Sequence, residues 1–317
     1  MSVWRDLPSG TYEAQLPKIM PIRPRTRCNI HDLHYIIQVG EAVKVKSVLD
    51  SDKTELDINS TVGGSTALSL ALNKEKPDTV SLLLSHPSTS SLLDVNKLSK
   101  DNKQRVEPPL VTACRLEDLE SARLLLNRPE INVEGKDIYG HTALWMATRQ
   151  RCTDLVELLI KHGASVNPSY KWSHSPLFFA TKYSSRRTDI ARRLLLHGAS
   201  VHLTSDSPSL FFCAIMQGNL NMAKLIAEAG YNITKDKTIK KECNISMLTR
   251  SLDFIEWLQD ELSSPPSLQR QCRTVIRMSI MKGNGRLCFI KSINELPLPS
   301  KIFDFITLKS LPYMKMA

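Results

Sequence analysis

The residue types that most often carry catalysis occur in this chain without the spacing that catalysis requires. Two glycine-rich stretches, 62–66 and 282–285, lack the strand-to-helix context in which backbone amides hold a phosphate, so both are predicted to be turns. The eight histidines show no metal-ligand spacing, and Cys272 lies within an apolar pattern with no paired histidine, which favours a packing thiol over a nucleophile. We therefore expect a non-enzyme, without a metal or any other cofactor.

Binding chemistry is indicated instead by a row of apolar residues at every fourth position near the C-terminal end. This spacing places them on one narrow face of a helix, which begins after the Ser/Pro break at 263–266. A narrow apolar face on a helix that is otherwise basic requires a groove on a partner. The row consists of Leu268, Cys272, Ile276 and Ile280, and the arginines on other faces are Arg270, Arg273 and Arg277.

The second binding motif is the tetrapeptide 296–299. Its two prolines stop a helix and hold the backbone extended, so they present Leu296 and Leu298 at low entropic cost. Apolar residues before and after it predict two more short helices. Three helices in about fifty residues bury little surface alone, so this segment must pack on the rest of the chain and on partners. The apolar residues are Leu287, Phe289, Ile290 and Ile293, then Ile302, Phe303, Phe305, Ile306 and Leu308.

The elements that position these motifs form an internal repeat. Equivalent positions fall at 33, 68, 110, 144, 177 and 211, with steps of 35, 42, 34, 33 and 34, so the unit is about 33 residues. From the second copy onward, an alanine follows three residues after each such position, and a leucine-rich run comes later, which predicts two short helices per unit. Gly163, Gly198 and Gly230 follow these runs and are predicted to be left-handed C-caps.

Composition shifts divide the chain into three parts. Prolines and the arginines Arg23, Arg25 and Arg27 predict an extended basic arm over 1–29, followed by repeats over 30–262 and the terminal segment over 263–317. A truncated seventh unit is expected around 252–258. Insertions near 88–108 and 183–187 are predicted to be surface loops. The first insertion carries Lys97, Lys100, Lys103 and Arg105. These cations either bind an acidic substrate or are exposed to solvent without a partner.

Charge and cysteine content restrict the partners and the compartment. The formal charge is +10, and the segment from residue 265 onward has nine basic residues but only two acidic ones. Aromatic residues that could stack on bases are not interspersed among these basic residues, so the charge favours an acidic protein partner over nucleic acid. No run is apolar enough to span a membrane. Seven cysteines without a Cys-x-x-Cys pair indicate reduced thiols, so we expect a cytoplasmic protein, with nuclear import left open by the arginines of the arm.

The repeat resembles the ankyrin repeat in its Thr/Ser-Pro/Ala-Leu opening, its leucine runs and the Gly-Ala that follows, over roughly residues 30 to 235. The terminal segment looks like a SOCS box. The whole chain resembles the ankyrin repeat and SOCS box family of substrate receptors for cullin-RING ubiquitin ligases. This resemblance implies an all-α fold: an ankyrin solenoid of about six repeats plus a degenerate terminal one, followed by a three-helix SOCS box.

The resemblance also implies partners for both terminal motifs. The family's elongin-binding pattern falls on Ser267, Leu268, Cys272 and Ile276, and its cullin-binding pattern falls on Leu296, Pro297, Leu298 and Pro299, in the version that implies cullin-5. Elongins B and C, cullin-5 with its RING protein and a protein substrate are then the expected partners, with substrate ubiquitination and proteasomal degradation as the outcome. Neither nucleic acid nor a membrane is expected to bind.

For the substrate, the resemblance points to loop tips and the exposed part of the first helices. The residues concerned are Tyr139, Tyr170, Trp172, Arg115 and Arg149. Aromatic residues on a loop tip are typical interface anchors, but the same side chains could instead cover neighbouring repeats. A second function also stays open, in which the chain is an ankyrin scaffold and its terminal segment caps the stack or docks elsewhere.

Overall fold

The computed structural model describes residues 29–51, 56–101, 103–167, 175–183, 189–201, 209–236, 239, 251–264, 266–283 and 289–311. The predicted N-terminal arm, except for Asn29, lies outside the described residues, as do Tyr170 and Trp172.

Pairs of short helices repeat along the described chain, as the sequence pattern predicts. The pairs are α1 (Ile30–Val39) with α2 (Ala42–Leu49), α3 (Ala67–Asn73) with α4 (Pro77–Ser85), α6 (Pro109–Arg115) with α7 (Leu119–Leu126), α8 (Ala143–Arg149) with α9 (Thr153–Lys161), α10 (Pro176–Tyr183) with α11 (Asp189–Leu196), and α12 (Leu210–Met216) with α13 (Leu220–Glu228). Each first helix contacts the first helix of the next pair, and most second helices contact the next second helix, so the pairs form a stack.

Local chemistry explains where the first helices begin. Thr66, Thr142 and Ser209 stand directly before α3, α8 and α12, and each side-chain oxygen accepts a hydrogen bond from the backbone N–H three residues later. The alanines of the repeat lie at the contacts between first helices and are almost fully buried, since a larger side chain would push the helices apart. These alanines are Ala71, Ala113, Ala147, Ala180 and Ala214.

The predicted insertion at 88–108 is structured. It contains the short helix α5 (Pro87–Ser90) and the antiparallel strands β1 (Ser99–Lys100) and β2 (Val106–Glu107). Arg105, one of its four cations, forms an ion pair with Asp101. The insertion is therefore a folded finger, and part of its charge is used within the fold.

Among the described residues, helix α14 (Leu252–Ser263) contacts the 3₁₀ turn Ile233–Lys235 and is the last element of the repeat stack. Its Phe254 and Leu258 are buried in the same core as the repeats, which agrees with the predicted degenerate terminal unit. The described residues after it form the helices α15 (Leu268–Gly283), α16 (Phe289–Asn294) and α17 (Ser300–Ile306). No helix among the described residues has the length and apolar character needed to cross a bilayer.

The three terminal helices have a small core of their own, built on Phe289, Ile293 and Ile306. Leu308, just after α17, is fully buried in the main core of the repeats instead. The segment is thus attached to the stack, as its small size predicts.

Candidate functional site

Helix α15 presents an apolar row to solvent. Leu268 is 76% exposed, Val275 is 63% exposed and Ile276 is 37% exposed, while Cys272 is also exposed. Burying large apolar side chains normally stabilises a fold, so an uncovered row of this kind marks a contact surface. We call Leu268, Cys272, Val275 and Ile276 the apolar row of α15.

Ile280, predicted on the same face, packs instead against the small core of the terminal helices. A four-residue step advances about 400° around a helix, so each successive member of an i, i+4 series turns about 40° further. By the fourth member the side chain has rotated out of the exposed face. The apolar row therefore ends at Ile276.

The opposite face of α15 is built from arginines, and they are buried. Arg270, Arg273 and Arg277 are 8%, 5% and 1% exposed. The Arg270 guanidinium donates to the Ala227 carbonyl oxygen at 3.0 Å and pairs with Glu261, and Arg273 pairs with Glu228 at 2.8 Å. These cations hold the helix on the stack. The expectation that they attract an acidic partner is therefore wrong for these three residues.

Arg277 joins three parts of the fold. Its guanidinium donates to the Leu195 carbonyl oxygen in the repeats and to the Ile306 carbonyl oxygen in α17, both at 2.8 Å. The same group lies 4.9 Å from the centre of the Phe289 ring in α16. Burial, and secondarily the charge of Arg273, lowers the pKa of Arg277 to about 10, so it stays charged at neutral pH.

Two glycines of the repeats allow the terminal helices to approach closely. Gly198 and Gly230 have φ of 84° and 108°, as predicted for left-handed C-caps. A Cβ at Gly198 would lie 2.6 Å from the Phe289 Cβ, and one at Gly230 would lie 2.7 Å from the Thr274 Cγ2. These glycines therefore serve both the repeat and the attachment of the terminal helices.

The tetrapeptide 296–299 connects α16 to α17. Leu296 is 45% exposed, but Leu298 packs against the small core, and the Leu298 N–H donates to the Leu296 carbonyl oxygen at 2.7 Å. This hydrogen bond makes a tight turn at Pro297, so the two leucines are not presented together as an extended strand would present them. The predicted contact surface is thereby reduced to Leu296 and the exposed prolines, Pro297 and Pro299.

Comparison with known families identifies two modules in the chain. A model of ankyrin repeats in three copies matches residues 87–170, and a model of the SOCS box matches residues 264–307. The chain joins ankyrin repeats to a SOCS box. Both matched modules are non-catalytic adaptor modules.

Two curated proteins are similar to a large part of this chain. The transient receptor potential cation channel subfamily A member 1 of Homo sapiens is 25% identical over 65% of this chain and 19% of the channel. The B-cell lymphoma 3 protein homolog of Mus musculus is 25% identical over 72% of this chain and 49% of that protein. The chain thus spans about a fifth to a half of the length of these two curated relatives.

Solved structures agree on the fold. An ankyrin repeat domain from Acinetobacter baumannii AYE is similar with a TM-score of 0.55 at 26% identity, covering 64% of this chain and 99% of that one. The ankyrin repeat domain of Bcl-3 has a TM-score of 0.56 at 24% identity, covering 72% of this chain and 97% of that one.

Three of the five predicted substrate residues lie together on the ankyrin repeats. Arg115, Tyr139 and Arg149 line one cleft of about 300 Å³, between the finger loops and the first helices α6 and α8. We call this the inner cleft. Arg115 is half of a buried ion pair: it bonds Glu107 at 2.7 Å and the Asn73 side chain at 3.0 Å, so it supports the walls of the cleft. Tyr139 and Arg149 are exposed.

Sequence reasoning missed the buried arginines and the ion pairs of the finger. The signal for the arginines was present, because 270, 273 and 277 follow the i, i+3, i+7 spacing of one helix face. That spacing is the same for a solvated basic face. Only the carbonyl oxygens at the C-terminal ends of α11 and α13, close to that face, distinguish the two cases.

Proposed function

We propose that this protein is the substrate-recognition subunit of an elongin B/C, cullin-5 and RING ubiquitin ligase. In this proposal the repeats, residues 30–262, hold a target protein, and the SOCS box, residues 263–317, binds the ligase core. The target is then ubiquitinated and degraded by the proteasome. The observation that carries the proposal is the exposed apolar row on α15, within the segment that the SOCS box model matches.

The elongin contact is assigned to Ser267, Leu268, Cys272 and Ile276. Ser267 begins the helix, since its hydroxyl oxygen accepts a hydrogen bond from the Arg270 N–H at 3.3 Å. The other three belong to the apolar row, and the arginines behind it fix the helix against the repeats. A rigid, uncovered row suits an apolar groove on elongin C because little side-chain or backbone entropy is lost on binding.

The cullin-5 contact is assigned to residues 296–299, led by Leu296 and the exposed prolines. The substrate contact is assigned to Tyr139 and Arg149, with Arg115 behind them; Tyr170 and Trp172 also belong to the proposed surface but lie outside the described residues. Binding both the target and the ligase through one rigid chain raises the effective concentration of the target's lysines near the ubiquitin-charged enzyme.

A matched pair of variants tests the elongin contact. Leu268→Asp alters the apolar row, while Leu252→Asp makes the same change at the start of α14, at a leucine that is 73% exposed against 76% for Leu268. Purified full chain is titrated with the elongin B/C heterodimer by calorimetry. A buried anchor of this kind contributes about 2 kcal/mol, so Leu268→Asp is expected to weaken binding at least about thirtyfold and Leu252→Asp to leave it unchanged.

The proposal is wrong if the wild-type chain does not bind the elongins, or if the two variants bind alike. In that case the ankyrin scaffold without ligase function becomes the better explanation. For the cullin contact, Leu296→Asp is preferred over replacement of the whole tetrapeptide, because Leu298 supports the small core. It should reduce cullin-5 binding and leave elongin binding intact.

A further inference from the structure

The inner cleft contains three arginines and two carboxylates, and most of these charges are already matched. Arg115 pairs with Glu107, and Arg105 pairs with Asp101 beneath the cleft. The Asp137 carboxylate accepts hydrogen bonds from the backbone N–H groups of Tyr139 and His141, at 2.9 and 2.8 Å. Among the described residues that line the cleft, one arginine remains without a carboxylate partner, at its mouth.

That cation is Arg149, at the end of α8. Within the described part of the chain its guanidinium has no carboxylate partner, and it lies 5.8 Å from the centre of the Trp145 ring. A guanidinium held beside an aromatic face and open to solvent can form a bidentate pair with an incoming carboxylate. Arg149 is therefore placed to recognise an anion.

An exposed aromatic ring lines the same cleft as Arg149. Met146 lines the cleft but is only 3% exposed, whereas Tyr139 at the finger tip is 69% exposed. From there a row of rings runs to the next repeat. Successive ring centres are 6.0, 3.7, 5.3 and 4.6 Å apart, and the row consists of Tyr139, His141, Trp145, Phe179 and Tyr183. Its far end, Tyr183, is 48% exposed and has the Lys182 ammonium 5.4 Å from its ring.

We propose that the inner cleft binds an acidic segment of the substrate protein, with an Asp or Glu carboxylate on Arg149 and a neighbouring aromatic or aliphatic side chain against the exposed ring of Tyr139. This inference rests on the proposed substrate-receptor function and defines the chemistry of its target. An acidic peptide fits better than a nucleic acid. Glu107 and Asp137 line the same cleft and would repel a continuous phosphate backbone, whereas isolated carboxylates can avoid them.

A random dodecapeptide display library, selected on the purified full chain, tests the inference. Enriched peptides are expected to share an Asp or Glu within two positions of an aromatic or aliphatic residue. The most enriched peptide is then synthesised with a fluorescent label and titrated by anisotropy. Arg149→Glu should weaken its binding at least about tenfold, because one charge-assisted contact is replaced by repulsion.

The matched control is Lys161→Glu, the same charge reversal on the exposed outer helix α9 of the same pair. It should leave the affinity within about twofold of the wild type, as expected for a surface charge distant from the cleft. The inference is overturned if the enriched peptides lack acidic residues, if the two variants bind alike, or if a labelled single-stranded RNA dodecamer competes for the cleft in an Arg149-dependent way.

Elongin titration of the same preparations separates this inference from the proposed function. Arg149→Glu should bind elongin B/C as the wild type does. Failed peptide selection with intact elongin binding refutes only the acidic-target inference. Peptide binding without elongin binding by the wild-type chain refutes only the ligase proposal.

Discussion

Gly198→Ala is expected to loosen the SOCS box from the ankyrin repeats. Two effects add at this position. The residue has a φ of 84°, and an alanine in that left-handed conformation costs about 1–2 kcal/mol. The new Cβ would also lie 2.6 Å from the Cβ and Cγ of Phe289, and overpacking of this kind costs about 1–3 kcal/mol. The free energy of unfolding should therefore fall by about 2–5 kcal/mol.

Gly163→Ala separates the two effects. Gly163 occupies the equivalent position one repeat earlier, has a φ of 88°, and its added Cβ would meet nothing within 4 Å. Only the backbone cost of about 1–2 kcal/mol applies there. Urea unfolding followed by circular dichroism gives both stabilities. Amide hydrogen exchange then shows where the extra loss arises, and it should accelerate in α16 for Gly198→Ala alone.

The two variants differ in one respect, the contact with Phe289. Equal losses of stability, within about 0.5 kcal/mol, together with unchanged exchange in α16, would refute the close packing of Phe289 on Gly198. The attachment of the SOCS box would then depend on the arginines of α15 without this glycine contact.

Two more predictions concern the repeats. Arg115→Met should lower the free energy of unfolding by about 3–5 kcal/mol, because Glu107, which is only 3% exposed, loses its cationic partner. The double variant Arg115→Met with Glu107→Gln should regain much of the lost stability, as measured by urea unfolding. Burial, with a smaller effect of His31, lowers the pKa of His34 below its ordinary 6.5. The His34 imidazole is then protonated more readily in the unfolded chain than in the folded one. The free energy of unfolding should therefore be highest above about pH 6.5 and should fall as the pH drops below that value. His34→Gln should reduce the fall measured between pH 7.5 and 5.5.

Each of these has an outcome that contradicts it. A double variant no more stable than Arg115→Met would mean that the carboxylate of Glu107 is not the source of the loss. For the pH dependence, His197 also has a pKa lowered by burial and contributes with the same sign. His34→Gln should therefore reduce the decline without abolishing it, and an unchanged decline would exclude His34 as a source.

The repeat stack was predictable because its signals are local and periodic. The threonine and serine before α3, α8 and α12 cap helices by contacts within three residues, and the alanines recur at one position of every unit. Leu268, Cys272 and Ile276 on α15 were predictable for the same reason, but the fourth member of the series, Ile280, was not. The turn at Pro297 was not, because it depends on Leu298 reaching a core formed by α16 and α17.

The sequence by itself determined the two modules, their order and the helix face available for docking, since periodicity and motif spacing are properties of neighbouring residues. Tertiary structure alone decided what the charges do. Arg277 and Arg149 are both arginines on helices, but one is buried between carbonyl oxygens from Leu195 and Ile306, 82 and 29 residues away, and the other remains open at a cleft. The environment of a charge is set by groups distant in sequence, and that environment decides whether it holds the fold together or is available to bind a partner.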